Sequence, residues 1–142
     1  MFKFSKTSLE RLETCHRDLQ TVMLVALAQS DIDFGIACGY RSVEDQQKAY
    51  REKRSQLDGV TRKSKHNSTP SMAVDIYAWV NGRANWNDKN LSYLAGVIMS
   101  TAKRLHDSRR IKHKLRWGGN WNKWDYACNY DGFVDMPHFE LI

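Results

Sequence analysis

Apolar residues Leu9, Leu12, His16, Leu19, Met23, Ala26 and Leu27 recur at helical spacing, so residues 8–29 read as one amphipathic helix. The period then changes. Asp31 and Asp33 lead into "FGIAC", Phe34 to Cys38, a short apolar run ending at Gly39 that reads as a buried strand. "RSVEDQQKAYREKR" returns to helical patterning, with Ser42 as N-cap and Asp45 three residues on to complete a capping box. Polar residues from Ser55 to Pro70 predict a loop. "MAVDIYAWV", Met72 to Val80, is rich in strand formers and turns at "NGR". Asn87 or Asp88 caps a further helix with the stripe Leu91, Leu94, Ala95, Ile98, Ala102 and Leu105, which ends near "SRRIKHKLR". The aromatic, glycine-bearing tail from Leu115 to Ile142 reads as short strands joined by a long loop. Strands and helices do not alternate regularly, which favours α+β over a doubly wound sheet: a small antiparallel sheet flanked by about three helices. With 142 residues, no repeats and no low-complexity linker, one domain spanning residues 1–142 is expected.

Composition narrows the classes. Hydrophobic content of 42% with 27% charge is that of an ordinary soluble globular chain. A formal net charge of +6 attracts polyanions: nucleic acid, anionic lipid or bacterial envelope polymers. The longest apolar run, "VMLVALA" from Val22 to Ala28, falls far short of the ~20 residues of a membrane span, and the N-terminus has no apolar signal core. Synthesis in a cytoplasm without membrane anchoring is the expectation. Cys15, Cys38 and Cys128 are odd in number and lack C-x-x-C pairing, which predicts reduced thiols rather than disulfides or a thiolate zinc site.

Five histidines are candidates for chemistry. His16 lies on the first helix's apolar stripe, where a core or boundary role is expected; His106 falls in a last helical turn, where a cation suits the dipole; His113 lies in a basic run and reads as solvated. His66 stands in a polar loop nine residues before Asp75, and His138 is held in "DMPHFEL", where Pro137 stiffens the chain. Two imidazoles and a carboxylate, with one position left to water, make a catalytic zinc shell. On spacing alone, a loop histidine beside a strand-end aspartate is the better account.

Four stretches in order, "CGYRSVEDQQKAY", "GVTRKSKHNSTPSMAVDIY", "LRWGGNW" and "DMPHFEL", span Cys38 to Leu141, about three quarters of the chain. Through them the chain resembles the zinc peptidases of bacteriophage endolysins that cleave the L-alanyl–D-glutamate bond of peptidoglycan, relatives of the VanY-like D-alanyl-D-alanine carboxypeptidases. The resemblance implies a DD-peptidase/Hedgehog-like fold and one zinc ion per chain on His66, Asp75 and His138. It implies Asp135 as the catalytic acid/base and Arg41 as the cation that holds a substrate carboxylate or the oxyanion. Ser64, Gln46, Trp117 and Gly118 would line the substrate cleft, Gln46 with Tyr50 shaping it. It further implies a monomer that binds peptidoglycan rather than nucleic acid, held in the host cytoplasm until a holin-type permeabilisation admits it to the wall. The sequence departs from the pattern where "NSTPS" fills a usually shorter gap, where Asn120 replaces an expected aspartate, and where "WDYACNYDG" lengthens the segment before Asp135.

Glu140 is the rival base. It is expected to face away from the metal, on the argument that strand neighbours point to opposite sides. Phe133, Phe139 and Trp117 are expected to raise the Asp135 pKa by desolvation. A D-Ala-D-Ala carboxypeptidase with the same zinc site is the nearest alternative. A basic nucleic-acid binder, using "KRLHDSRRIKHKLRW" and the tail tryptophans, is the alternative of another class.

Overall fold

The first predicted helix is two helices in the computed structural model, which describes residues 1–121 and 132–142. α1 spans Lys6–Glu13 and α2 spans Arg17–Gln29. Between them Cys15 makes a parallel bridge to Ser71, with His16 N donating to Ser71 O and Ser71 N donating to Thr14 O. That tertiary pairing takes the backbone out of the helix. His16 therefore does not sit on an apolar stripe; it caps α2, its Nδ1 accepting from Asp18 N at 3.0 Å. Nor is His113 simply solvated. Asp18 Oδ2 accepts from the Lys112 and His113 amides and from His113 Nδ1 at 2.8 Å, clasping the segment after the last helix to α2.

The remaining elements follow the sequence periods. β1 is Phe34–Cys38 and α3 is Val43–Arg51, where Ser42 Oγ accepts from Asp45 N at 3.1 Å. A single 3-10 turn, Lys65–Asn67, precedes β2 at Ala73–Val80, which turns into β3 at Arg83–Asn85. α4, Asp88–Asp107, starts at the Asn87 cap, and β4 (Leu115–Trp117) and β5 (His138–Leu141) complete the chain. The architecture is α+β, with four α-helices among the described residues because the first predicted one divides. Residues 122–131, including Cys128 and most of "WDYACNYDG", lie outside the described residues.

The described strands form one antiparallel sheet in the order β1-β2-β5-β4, with β3 paired to β2. Its inner face, Phe34, Ile36, Val74, Ile76, Ala78, Phe139 and Leu141, packs in one core with Leu19, Val22 and Met23 of α2 and with Leu94, Ile98 and Ala102 of α4. Alternation in the strands then sends the intervening side chains outward. On β2 these are Asp75, Tyr77 and Trp79. On β5 they are His138 and Glu140. The register sets Asp75 directly opposite His138, and Cys38 of β1 opposite Asp75 on the other side.

Candidate active site

His66 reaches this outer face from the 3-10 turn. Ser64 Oγ accepts from His66 N, and Asn67 Oδ1 accepts from Ser64 N in return, a capping box that sets the turn. Arg41 N donates to His66 O at 2.8 Å and Asn67 Nδ2 to Arg41 O at 2.8 Å, tying the turn to the "GYRS" segment. His66 Nε2, Asp75 Oδ1 and His138 Nδ1 consequently form a triangle with sides of 3.2, 3.2 and 3.0 Å.

The outer atoms of both rings are already committed. His66 Nδ1 lies 2.7 Å from Gly39 O, and His138 Nε2 lies 2.9 Å from Glu140 Oε1. Each neutral ring therefore donates outward and turns a lone pair inward. Two lone pairs and a carboxylate oxygen meet with no proton among them, so the triangle demands positive charge at its centre. Tetrahedral zinc with bonds of about 2.0–2.2 Å has ligand–ligand edges of about 3.3–3.6 Å, close to the observed triangle, and nitrogen and oxygen donors suit that ion. The residues fit a zinc ion.

The electrostatics express the same demand. Burial opposes charge on His66, and the Asp75 carboxylate outweighs it, raising the ring to about 10. Burial also opposes charge on His138, and the hydrogen bonds to Asp75 and Glu140 raise that ring too. Asp75 is driven up by burial but held well below the usual carboxylate range by the two imidazoles.

Arg41 points into this site rather than pairing with Glu44 or Asp45. Its Nη2 lies 3.2 Å from Asp75 Oδ2, which leaves Oδ1 for the triangle, and its Nη1 donates to Gln46 Oε1 at 2.9 Å. Gln46 is fully buried and spends its amide on Ser55 Oγ and Leu57 O. It braces Arg41 and the following loop, so it is not positioned to touch substrate. Tyr50 is exposed and outside the cavity wall.

Asp135 stands 4.0 Å from His138 Nδ1, beside the triangle rather than in it. Its amide donates to Gly118 O at 2.8 Å and its carbonyl accepts from His138 N at 3.1 Å. Burial raises its pKa, and the negative charge of Asp75 raises it further. Phe133 lies on the same cavity wall, whereas Phe139 faces the core and takes no part in that desolvation.

The cavity over the triangle has a volume of about 570 Å³. Ser64, Arg41 and Asp135 line it. Trp117 and Gly118 do not: Trp117 Nε1 donates to Met136 O, and a Cβ on Gly118 would lie 2.2 Å from Asp135 O. They frame Asp135 from behind.

Glu140 corrects the sequence expectation. Two residues after His138 means the same strand face, and Oε1 meets the ring while Oε2 accepts from Arg116 Nη2 at 2.6 Å, with Lys65 Nζ at 3.7 Å. Burial raises its pKa, but His138 and Arg116 outweigh that and bring it to about 2. Glu140 is thus an ionised support for a ring and not a base facing away. Cys38 was also passed over. Its Sγ lies 3.9 Å from His66 Nδ1, the nitrogen turned away from the triangle. Its place at the end of β1, on the rung of Asp75, was the available signal.

The full chain, residues 1–142, matches the family of phage L-alanyl-D-glutamate peptidases. An L-alanyl-D-glutamate peptidase of Escherichia phage T5 is 32% identical over 143 residues, covering 99% of this chain and 98% of that one. The crystal structure of the Serratia marcescens L-Ala D-Glu endopeptidase ChiX superposes with a TM-score of 0.75 at 28% identity, over 99% of this chain and 90% of that chain. A vancomycin-resistance D,D-pentapeptidase, VanY, solved with Zn(II), reaches only 0.48 at 17% identity, over 87% of this chain and 68% of that chain. That likeness is too slight to transfer chemistry, so the metal rests on the donor set alone.

Proposed function

The chain belongs to the phage L-alanyl-D-glutamate peptidase family, and from that premise we propose that it cuts this bond in peptidoglycan stem peptides with one zinc ion on His66, Asp75 and His138. The observation that carries the metal is the inward-facing donor triangle, whose outer ring nitrogens are already committed. Zinc there supplies Lewis acidity, which makes water a nucleophile near neutral pH.

The remaining work falls to the chain. Asp135, 4.0 Å from a ligand nitrogen, takes the proton of the attacking water and hands it to the amine of the departing D-glutamate. Its raised pKa suits both halves of that transfer. Arg41 fixes Asp75 through Oδ2 and presents positive charge on the cavity wall, where a carbonyl oxygen gathers negative charge during attack. Ser64 holds the His66 turn in place. The enzyme is made in the host cytoplasm and reaches the wall once a holin-type protein permeabilises the membrane; no described helix is long and apolar enough to cross one.

Digestion of isolated peptidoglycan by the zinc-loaded protein, read by mass spectrometry, tests the reading. A new free amine on D-glutamate is expected; released D-alanine would make it a D,D-carboxypeptidase, and an undigested wall with folded, zinc-loaded protein would remove the activity. Asp135→Ala is expected to lose about 10²–10⁴-fold in turnover while keeping about one zinc per chain. Normal cleavage by that variant would refute Asp135 as the proton carrier.

A further inference from the structure

The outer face of β2 does not end at the metal triangle. Asp75, Tyr77 and Trp79 alternate onto one side of the strand, so an aromatic stripe leaves the catalytic cavity and runs roughly 13 Å to Trp79. Gly35 pairs with Tyr77 across the ladder, and a Cβ there would lie 2.3 Å from Tyr77 Oη. The missing side chain lets the phenol ring lie across β1. Trp79 and Trp86 both pack on Tyr77, with ring centroids at 6.2 and 6.0 Å.

Both tryptophans stand in water, Trp79 43% and Trp86 52% exposed. Trp86 also lines the catalytic cavity, so the aromatic surface is continuous with it. At its far end Tyr77 and Trp79 border a second, smaller cavity whose rim carries Lys3, Ser5 and Asp33, with the buried Ser8 hydroxyl beneath it already accepting from Ile36 N. Contiguous exposed rings rimmed by polar groups mark a binding surface.

The rim chooses the ligand. Flat rings beside the Ser5 hydroxyl and the Asp33 carboxylate suit a molecule with C–H faces and hydroxyl or amide edges, which describes a sugar. A nucleic acid would stack equally well but needs a cationic track, and here Lys3 is offset by Asp33. Peptidoglycan joins its stem peptide to the glycan through the alanine, so the scissile bond lies one residue from a sugar. A sugar platform one cavity-edge away is where that attachment leads.

We propose that Tyr77, Trp79 and Trp86 form a saccharide-stacking platform that holds the glycan strand while the attached stem peptide enters the cavity. The proposal rests on the peptidoglycan reading above. It makes the enzyme prefer glycan-borne peptide to the same peptide free.

Trp79 lies outside the catalytic cavity, so its variants separate the two questions. Wild type, Trp79→Ala and Trp79→Phe are compared on a free stem peptide and on the same peptide attached to its disaccharide, with melting temperatures as a check on folding. Trp79→Ala is expected to lose roughly ten-fold or more in kcat/KM on the disaccharide substrate, chiefly through KM, as truncation of an aromatic anchor does. Its rate on free peptide is expected to stay at the wild-type value, and Trp79→Phe is expected to recover most of the loss. Titration with an N-acetylglucosamine oligomer is expected to perturb tryptophan fluorescence in wild type, and in Trp79→Ala only at roughly ten-fold or more higher oligomer concentration. Equal loss on both substrates, or loss on neither, overturns the platform. So does a shift from dimer to monomer in Trp79→Ala without any glycan effect, which assigns the face to a second copy of the chain, or a fluorescence response to single-stranded DNA alone. If wild type cleaves neither substrate, the peptidase reading fails, and the oligomer titration alone decides the platform.

Discussion

Removing the Glu140 carboxylate should weaken zinc binding without touching a ligand. Glu140 Oε1 holds His138 Nε2 at 2.9 Å, which selects the tautomer whose Nδ1 lone pair faces Asp75 and His66. Losing such a support typically costs about 10–100-fold in metal affinity, or about 1.4–2.7 kcal/mol. A second cost falls on the metal-free protein. Arg116, with a side chain only 17% exposed, would lose its carboxylate, and its Nε already has no hydrogen-bond partner among the described residues. Breaking a buried pair on one side costs about 3–5 kcal/mol, and the residual exposure of Arg116 places this case at the lower end. Glu140→Gln keeps an acceptor for Nε2 but not the charge, so it should fall between wild type and Glu140→Ala. Chelator competition gives the zinc Kd for all three, and melting with and without zinc gives the linked stabilisation, which falls by about 2.7 kcal/mol for a hundred-fold weaker site. If Glu140→Ala binds zinc as wild type does, the carboxylate does not orient the ring and the tautomer argument is wrong.

The metal-free protein should melt highest in mildly acidic solution. His66 is raised from 6.5 to about 10 in the folded state, so its contribution is full below about 6.5 and is lost as pH climbs toward 10. Glu140 is lowered from 4.5 to about 2, so its contribution is full above about 4.5 and is lost as pH falls below that. Melts of chelator-treated protein at about pH 6 and about pH 9 check the alkaline limb, and zinc, which competes with protons for the imidazoles, should reverse it; a flat metal-free profile would refute the sign. Gly118→Ala puts a Cβ 2.2 Å from Asp135 O and 3.1 Å from His138 Cβ, so it should displace the proposed proton carrier and lower kcat, at a stability cost of about 1–3 kcal/mol in denaturant unfolding. Ile98→Ala, at a fully buried position of α4, should cost about 2–5 kcal/mol by the same measurement and leave the zinc affinity of the folded protein unchanged.

Local periods were legible wherever one face decides burial. The α4 stripe from Leu91 to Leu105 is buried at every position named from the sequence, and β1 runs from Phe34 to Cys38 as its apolar run predicts. The break between α1 and α2 was not legible. Leu12 and Leu19 are seven residues apart and face the same core on either side of it, so the helical period runs on through the interruption. What breaks the helix is Ser71, more than fifty residues away, and no glycine or proline marks the place. The way Gln46 shapes the site was hidden for a related reason. Its partners Ser55 and Leu57 belong to a loop with no period, so the helix pattern could show that Gln46 faces inward but not what it meets.

Glu140 shows where a correct rule was applied to the wrong neighbour. Strand side chains alternate, and the residue that alternates with His138 is Phe139, which is in the core; Glu140 returns to the face of the ligand. The same period explains why two proposed ligands, Asp75 and His138, 63 residues apart in sequence, converge at all. Val74, Ile76 and Ala78 must face the core, so Asp75 must face out, and the antiparallel register then sets it opposite His138, whose neighbours Phe139 and Leu141 are held inward by the same core. A slip of one residue in β2 would bury Asp75 and expose Val74 together. Core packing and donor geometry are therefore one constraint. The outward face that this constraint leaves behind, from Asp75 through Tyr77 to Trp79, is the surface on which both the peptide chemistry and the proposed sugar contact depend.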